Sequence, residues 1–280
     1  MTNTTIREAL TFASNQLAVY DSARLDCEIL LSSAMNKQRE FMYSHPEKLL
    51  NPSELVNFNS LIMKRLTGHP VAYLTGRKEF WSLEINVNSS TLIPRPETEL
   101  LVETALKNTK TKGSQHILDL GTGSGAIAIA LSTENPLNTI TATDICNNAL
   151  QTATHNALKY NLKNISFLQS NWFNEIGQQK FDLILCNPPY IQSYDPRLTN
   201  STLLYEPRIA LDGGESGLDA FHQIIPTALK HLNSNGKLLL EHGYTQGESL
   251  KNLLNVFGYT NVQTFLDFSG YERVTVANYS

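Results

Sequence analysis

The residues Asn187, Pro188, Pro189 and Tyr190 combine amide, carbonyl and aromatic groups directly after an apolar run at residues 181 to 186. Such a run is typical of a buried parallel strand, and the prolines end it because they cannot donate to a ladder. Because Asn187 precedes a proline, its backbone favours an extended conformation. We therefore expect two hydrogen-bond acceptors, Asn187 Oδ1 and the Pro188 carbonyl, beside an aromatic ring.

These groups suit a planar guest that carries an NH2 group, such as a carboxamide or the exocyclic amine of adenine. Asn187 Oδ1 and the Pro188 carbonyl can each accept one N–H, and Tyr190 can stack on the plane. Holding both hydrogens raises the electron density on this weakly nucleophilic nitrogen, which favours attack on a cationic electrophile such as a methyl sulfonium. From these four residues alone, a proline turn after a core strand is an equally good interpretation.

A glycine-rich loop lies between a predicted strand at residues 116 to 120 and a predicted helix at residues 126 to 131. Glycines let the backbone approach an anion at a helix N-terminus. The third glycine stands one residue earlier than in the dinucleotide fingerprint, so the loop favours a smaller anion such as a carboxylate. The loop consists of Gly121, Thr122, Gly123, Ser124 and Gly125.

Polar residues follow the next two predicted strands. Asp144 ends the first of them, about 20 residues beyond the loop, where an acidic side chain can accept both hydroxyls of a ribose. Asn171 and Trp172 follow the second, at residues 165 to 169, and would meet the polar edge and the face of an adenine. Packing is the alternative role for both. Because parallel strands end at one edge of a sheet, we expect these residues and Asn187 to surround one crevice.

The first quarter of the chain predicts a small helical bundle at residues 4 to 75, with a helix start at residues 51 to 54. Residues 73 to 93 predict a hairpin whose first strand includes Phe80 and Val87 and whose turn lies at residues 88 to 90. Pro96 then opens a helix. The acidic residues beside it fit either a helix start or a lid over a cofactor.

After residue 190 the sequence predicts a long loop that extends to residue 218, which its length marks as functional. The end of the chain predicts a strand at residues 236 to 241, a helix at 246 to 256 and a hairpin at 262 to 277. These elements would close a seven-stranded sheet. Between residues 219 and 235 we predict no helix or strand.

Composition sets broad limits. The 280 residues predict two domains, and 41% hydrophobic with 17% charged residues is typical of a globular protein. A net charge of −4 disfavours a nucleic-acid partner. The three cysteines predict buried, reduced thiols and a cytoplasmic location. The first eight residues lack a signal-peptide pattern, no apolar run is long enough to predict a membrane span, and the histidine spacing predicts no metal site.

Over essentially its whole length the chain resembles the S-adenosylmethionine-dependent release factor glutamine methyltransferases of the HemK/PrmC type. The segments that carry the resemblance are RLDCEILL at residues 24–31, PVAYLTG at 70–76, EFW at 79–81, IPRPETE at 93–99, DLGTGSGA at 119–126 and NPPYI at 187–191. The NPPY corner is shared with adenine-amine methyltransferases. The segments in the bundle and the connector are more specific.

The residues and the resemblance together predict an α/β fold with a seven-stranded, Rossmann-like class I methyltransferase sheet. It would be preceded by a small N-terminal helical bundle and a β-hairpin connector. The expected domains are a helical substrate-docking domain at residues 1–75, the connector at 76–94, and an S-adenosylmethionine-dependent methyltransferase domain at 95–280.

The resemblance implies methyl transfer to the side-chain amide nitrogen (N5) of the glutamine in the Gly-Gly-Gln motif of peptide chain release factors. Asn187, Pro188 and Tyr190 would be catalytic, and with Pro189 they would hold the glutamine amide. The expected cofactor contacts are residues 121 to 125, Asp144, Asn171, Trp172 and Asn187. No metal, membrane or nucleic acid is expected. The alternatives are an adenine-N6 methyltransferase that acts on DNA or RNA and a cofactor-binding regulator that transfers nothing.

Two positions depart from the family pattern. Asn171 stands where an Asp commonly precedes the Trp, and His242 stands where an apolar residue is usual. Because Asn171 can still accept a hydrogen bond from the adenine amine, we expect at most weaker cofactor binding. The sequence gives no role for His242.

Overall fold

The computed structural model describes residues 4–109, 114–200 and 202–279. The chain divides into two compact units, Met1–Arg77 and Lys78–Ser280. Residues 1–3 of the predicted 1–75 domain and residues 110–113, 201 and 280 of the predicted 95–280 domain lie outside the described residues. Within the described ranges, no helix has the length and apolar character that crossing a membrane requires.

The first unit consists of short helices, as predicted. They are α1 (Ile6–Gln16), α2 (Ala23–Met35), α3 (Arg39–Ser44), α4 (Pro52–Leu66) and α5 (Val71–Thr75). The predicted start of α4 is confirmed: Asn51 Oδ1 accepts the Glu54 N–H at 2.8 Å, and Glu54 Oε2 accepts the Asn51 N–H at 2.9 Å. An ion pair buried in this unit joins Arg65 Nε to Asp26 Oδ2 at 2.7 Å.

A two-stranded hairpin of β1 (Arg77–Phe80) and β2 (Leu83–Asn86) follows. A turn is present at the predicted residues 88 to 90, where the Asn88 carbonyl accepts the Thr91 N–H at 3.0 Å. It does not join the hairpin strands, because the chain reverses earlier, at Trp81 and Ser82, with φ of 54° and 56°. A two-residue turn of this kind usually signals itself by Asn-Gly, which is absent here. Instead, the Glu99 carboxylate accepts the Trp81 N–H at 2.8 Å, and Glu134 accepts the indole N–H at 2.7 Å.

The second unit is built on the predicted seven-stranded sheet, in the order β5-β4-β3-β6-β7-β9-β8. Strands β3 to β7 run parallel, and β9 is antiparallel to both of its neighbours. The strands are β3 (His116–Leu120), β4 (Thr139–Asp144), β5 (Ile165–Gln169), β6 (Phe181–Cys186), β7 (Leu232–Glu241), β8 (Thr260–Leu266) and β9 (Glu272–Asn278). The predicted fold class is confirmed.

Helices connect these strands. They are α6 (Glu99–Asn108), α7 (Ala126–Glu134), α8 (Asn147–Lys159), α9 (Arg197–Asn200), α10 (Asp219–Ala228) and α11 (Gly247–Val256). Helix α10 was not predicted from the sequence; it buries Phe221 and Ile224 in one core cluster with Leu238 and Leu250. The helical spacing of its apolar residues was present, but Pro226 lies inside it. Strand β7 also begins four residues earlier than predicted, at Leu232.

Candidate active site

A cavity of about 350 Å³ lies where β3, β4, β5 and β6 end. The residues that line it include one or more from the segment after each of these strands. Among them are Gly121, Asp144, Asn171 and Asn187. The structure thus brings together the residues that were predicted to share one crevice. We call this space the strand-end cavity.

The glycine loop contributes two of its five residues to the lining. Gly121 and Gly123 line the cavity with φ of 71° and 57°, a conformation that favours glycine. The other three residues do not line the cavity, and their contacts hold the loop in place. The Thr122 hydroxyl donates to Asp119 Oδ2 at 2.6 Å, the Ser124 carbonyl accepts from Asn156 Nδ2 at 2.9 Å, and Gly125 packs so closely that an added Cβ would lie 3.0 Å from the Cβ of Ala153.

Asp144 lies at the end of β4 with both carboxylate oxygens anchored by the backbone. Oδ2 accepts the Gly123 N–H at 2.9 Å, and Oδ1 accepts the Cys146 N–H at 2.8 Å. Burial raises the pKa of Asp144, while these N–H groups lower it. Each oxygen keeps further acceptor capacity, so the side chain can receive two neighbouring hydroxyl groups.

The turn after β5 places Trp172 at the cavity and Asn171 at its exposed side. Trp172 adopts a φ of 50°, and its carbonyl accepts a hydrogen bond from the Ser170 hydroxyl at 2.9 Å. The indole lies over the glycine loop, since a Cβ on Gly121 would be 3.7 Å from its Cζ3. An aromatic face and an amide therefore flank one end of the cavity.

The predicted corner separates this cavity from a second one of about 740 Å³. Pro188 and Tyr190 line the second cavity, Pro189 lines the first, and Asn187 lines both. Asn187 Nδ2 donates to Thr98 Oγ1 at 3.1 Å, which leaves Oδ1 as the acceptor that the side chain can offer. The amide is therefore held at the junction of the two cavities. We call the second space the corner cavity.

Behind the corner lies a buried acid. The Tyr190 hydroxyl donates to Glu241 Oε1 at 3.3 Å, and burial raises the pKa of Tyr190. Glu241 ends β7 and is 1% exposed. Its burial raises the pKa of the carboxyl to about 7, although Thr98, Arg273 and Tyr190 lower it.

The long loop after the corner contributes Pro207, Ile209 and Ala210 to the strand-end cavity. It contains short helical turns rather than the structureless chain that was predicted. Gly213 lets it approach the corner, since a Cβ there would lie 2.7 Å from the Tyr190 Cα and 2.8 Å from the Pro189 carbonyl oxygen. The loop therefore forms part of the site.

Three residues at the site were not among the predicted site residues: Thr98, Glu206 and Glu241. Glu206 accepts the Ile93 N–H at 3.0 Å and pairs with Arg95, so it ties the long loop to the segment before α6. Pro96 does open a short helical turn before α6, and this turn delivers Thr98 to Asn187. For Glu241 a signal was available, because it is an acid at the end of a buried strand, as Asp144 is.

The structure also describes His242, for which no role was predicted, and the three cysteines. His242 is fully buried, with Nδ1 2.9 Å from the Gly243 carbonyl oxygen and Nε2 2.9 Å from Thr275 Oγ1, and burial lowers its pKa. Its role is therefore structural. Of the three cysteines, Cys27 and Cys186 are buried as expected, but Cys146 is partly exposed and lines the strand-end cavity.

Comparisons with known proteins agree with this architecture. Residues 93–266 match the family model described as Methyltransferase small domain, and residues 8–76 match the PrmC N-terminal domain. The chain resembles the release factor glutamine methyltransferase of Pseudomonas aeruginosa with 44% identity over 95% of this chain and 96% of the relative. The enzyme of the same name from Shewanella oneidensis is 42% identical over 98% and 96%.

The fold recurs in a solved methyltransferase from Pyrococcus furiosus, which is 19% identical and superposes with a TM-score of 0.54 over 79% of this chain and 98% of that one. At this level of identity the likeness concerns the fold, which is the class I methyltransferase fold. The two curated relatives match nearly from end to end, through the helical unit and the sheet alike. The chain belongs to the release factor glutamine methyltransferase family.

Proposed function

We propose that the protein transfers a methyl group from S-adenosylmethionine to the side-chain amide nitrogen (N5) of the glutamine in the Gly-Gly-Gln motif of peptide chain release factors. The observation that carries this proposal is the position of Asn187 between two cavities. One cavity has the groups that a nucleoside with a charged tail requires. The other is larger and lined by the acceptor groups of the corner.

The residues of the strand-end cavity fit the cofactor. Asp144 would accept the ribose hydroxyls, the backbone at Gly121 and Gly123 would approach the carboxylate, and Trp172 with Asn171 would flank the adenine. Thr122, Ser124 and Gly125 would act by shaping the loop. A volume of about 350 Å³ lies within the range of small-molecule sites.

When bound, S-adenosylmethionine supplies the methyl group: a nitrogen–carbon bond forms, the carbon–sulfur bond breaks with its electron pair left on sulfur, and one proton leaves the nitrogen. The protein positions the nucleophile. Asn187 Oδ1 and the Pro188 carbonyl would accept its two N–H groups, and the Tyr190 ring would lie against the amide plane. No dedicated base is needed, because an alkylated amide nitrogen is strongly acidic until it loses its extra proton.

The partner would be the release factor, with residues 1–75 as its docking domain, residues 76–94 as the connector and residues 95–280 as the catalytic domain. The groups with candidate chemistry, at the strand-end and corner cavities, belong to the second unit, which leaves the helical unit for binding. Three cysteines without disulfides suit the reducing cytoplasm, where we place this activity.

The test uses S-adenosylmethionine labelled in its methyl group. The protein is incubated separately with a release factor, with the same factor carrying Gly-Gly-Ala in place of Gly-Gly-Gln, and with bulk DNA and RNA. We expect label on the intact factor alone. Label on nucleic acid would overturn the proposal in favour of an adenine-N6 methyltransferase, and label on the Gly-Gly-Ala factor would refute the proposed acceptor.

A further inference from the structure

Glu241 lines the corner cavity although its side chain is almost entirely buried. Its Oε1 accepts the Tyr190 hydroxyl at 3.3 Å, whereas Oε2 has no hydrogen-bond partner in the part of the chain that the structure describes. Leaving a buried carboxylate oxygen unpaired is costly. The methyl transfer proposed above uses Asn187, Pro188 and Tyr190 and gives the Glu241 carboxylate no role.

Thr98 lies between Glu241 and the side-chain amide of Asn187. Its oxygen accepts a hydrogen bond from Asn187 Nδ2, so its own proton is available for a different acceptor. Thr98 lowers the pKa of Glu241, which is the effect of a hydroxyl that donates to a carboxylate. The Thr98 hydroxyl makes no hydrogen bond of normal length and direction to Oε2, which has no partner among the described residues. Such bonds commonly tighten once substrate is bound.

We propose that Glu241 is a positioning residue for methyl transfer. As a carboxylate it accepts hydrogen bonds from the Thr98 and Tyr190 hydroxyls, and through Thr98 it holds Asn187 with Oδ1 directed toward the substrate glutamine amide. The inference rests on the proposed function. One buried charge would thereby fix two groups that border the substrate amide, the side-chain amide of Asn187 and the ring of Tyr190. Glu241 can do this without touching the glutamine.

The charge of Glu241 decides the direction of this relay. A protonated Glu241 can donate to Thr98, and Thr98 can then donate to Asn187 Oδ1 once the Asn187 amide rotates and turns its oxygen, instead of Nδ2, toward Thr98. That oxygen is then no longer available to the substrate amide. Among the described residues, the titratable groups that interact with Glu241 through charge or a hydrogen bond are Tyr190, Arg273, Glu97 and Cys186. Burial raises the pKa of Tyr190 and Cys186, so both stay neutral near pH 7.

The pH dependence follows from these states. Burial raises the pKa of Glu241 to about 7, so the carboxylate form, and with it turnover, increases as the pH rises through that value. The intact enzyme should therefore show a kcat for release-factor methylation that climbs between pH 6 and pH 8, each about one unit from the pKa. The Glu241→Gln variant should lose this slope.

The experiment measures kcat, acceptor KM and cofactor Kd for the full chain and for Glu241→Gln. We expect kcat at pH 8 to fall by about tenfold to hundredfold, which is the scale for a misplaced catalytic group, with cofactor Kd unchanged. Glu241→Asp keeps the charge, so it should retain a pH slope at reduced kcat. It also keeps the test available if Glu241→Gln does not fold.

Thr98 variants test the route. Thr98→Val should reduce kcat like Glu241→Gln, Thr98→Ser should restore it, and the double variant should lose no more than either single one, since both changes break one relay. The matched control is Thr104→Val, because Thr104 is a buried threonine on α6 outside both cavities. It should leave kcat unchanged.

The outcomes separate the two proposals. If the intact enzyme puts no label on a release factor, the proposed function fails. If it does label the factor but Glu241→Gln keeps kcat and its pH slope, the proposed function stands and the positioning role is overturned. Strictly additive losses in the double variant would also overturn it.

Discussion

The two cavities that meet at Asn187 are built in different ways. In the strand-end cavity, polar groups follow the strands directly, and the backbone anchors them: Asp144 receives N–H groups of Gly123 and Cys146. In the corner cavity, the groups that hold Asn187 and Tyr190 come from distant parts of the chain. Thr98 stands 89 residues from the Asn187 that it contacts, and Glu241 stands 51 residues from Tyr190.

This difference bears on what each cavity can tolerate. A side chain held by neighbouring backbone groups depends on local geometry, so its loss should remove its own contact and little else. A side chain held through a chain of buried side chains depends on all of them. We therefore expect losses in binding from changes at the strand-end cavity and losses in turnover from changes at the corner.

The largest expected effect is at Asn187, where the two cavities join. Asn187→Ala removes the acceptor that aims the nucleophile, so kcat should fall by about a thousandfold, the scale for losing one preorganised group at a reacting centre, while cofactor affinity changes little. Single-turnover methylation and cofactor titration measure the two quantities. Asn171→Ala is the control, because it should weaken cofactor binding and leave kcat unchanged. Unchanged turnover in Asn187→Ala would remove the basis of the proposed function.

A smaller effect is expected at Asp144. Asp144→Ala loses the acceptor for two hydroxyls, so cofactor Kd should increase by about tenfold to a hundredfold, as expected for hydrogen bonds to a charged group. Turnover at saturating cofactor should be nearly retained. Titration calorimetry measures the affinity, with Asp144→Asn as the isosteric control that keeps one acceptor. Equal affinity in Asp144→Ala would refute the ribose role.

A change in the loop that borders both cavities should lower turnover. In Gly213→Ala the added Cβ would lie 2.7 Å from the Tyr190 Cα, so the loop or the corner must shift, and we expect kcat to fall by about tenfold. Gly258→Ala is the control. Its φ of 81° makes alanine unfavourable, at about 1 kcal/mol of stability, but an added Cβ meets nothing within 4 Å and activity should persist. Equal kcat in both variants would show that the loop adapts.

The sequence predicted the sheet and the strand-end cavity well because their signals are local. Buried strands read as apolar runs, and a polar residue directly after each run marks one edge of the sheet. Asp144 and Trp172 were found in this way, and both line the cavity. Thr98, Glu206 and Glu241 depend on tertiary contacts between distant segments, which periodicity does not encode.

Two local failures have a different cause. The hairpin turn lies at Trp81 and Ser82, because carboxylates of Glu99 and Glu134 on later helices hold a turn that has no glycine. The helix α10 was overlooked because Pro226 lies inside a segment that begins directly after a glycine-rich loop. In both cases tertiary packing stabilises a conformation that the local residues alone do not favour.

The smallest expected effect concerns Asn171, on the exposed side of the strand-end cavity. Asn171→Asp places a charged acceptor where the family resemblance predicts an acid before Trp172, and charge-assisted hydrogen bonds are stronger than neutral ones. Because the side chain is exposed, water screens the gain, and we expect cofactor Kd to fall by about twofold with kcat unchanged. Titration calorimetry at low and high salt measures it, and Asn174→Asp, an exposed change three residues along, is the control. A gain in kcat rather than affinity would contradict the division of roles between the two cavities, because a rim residue of the binding side would then act on the reacting centre.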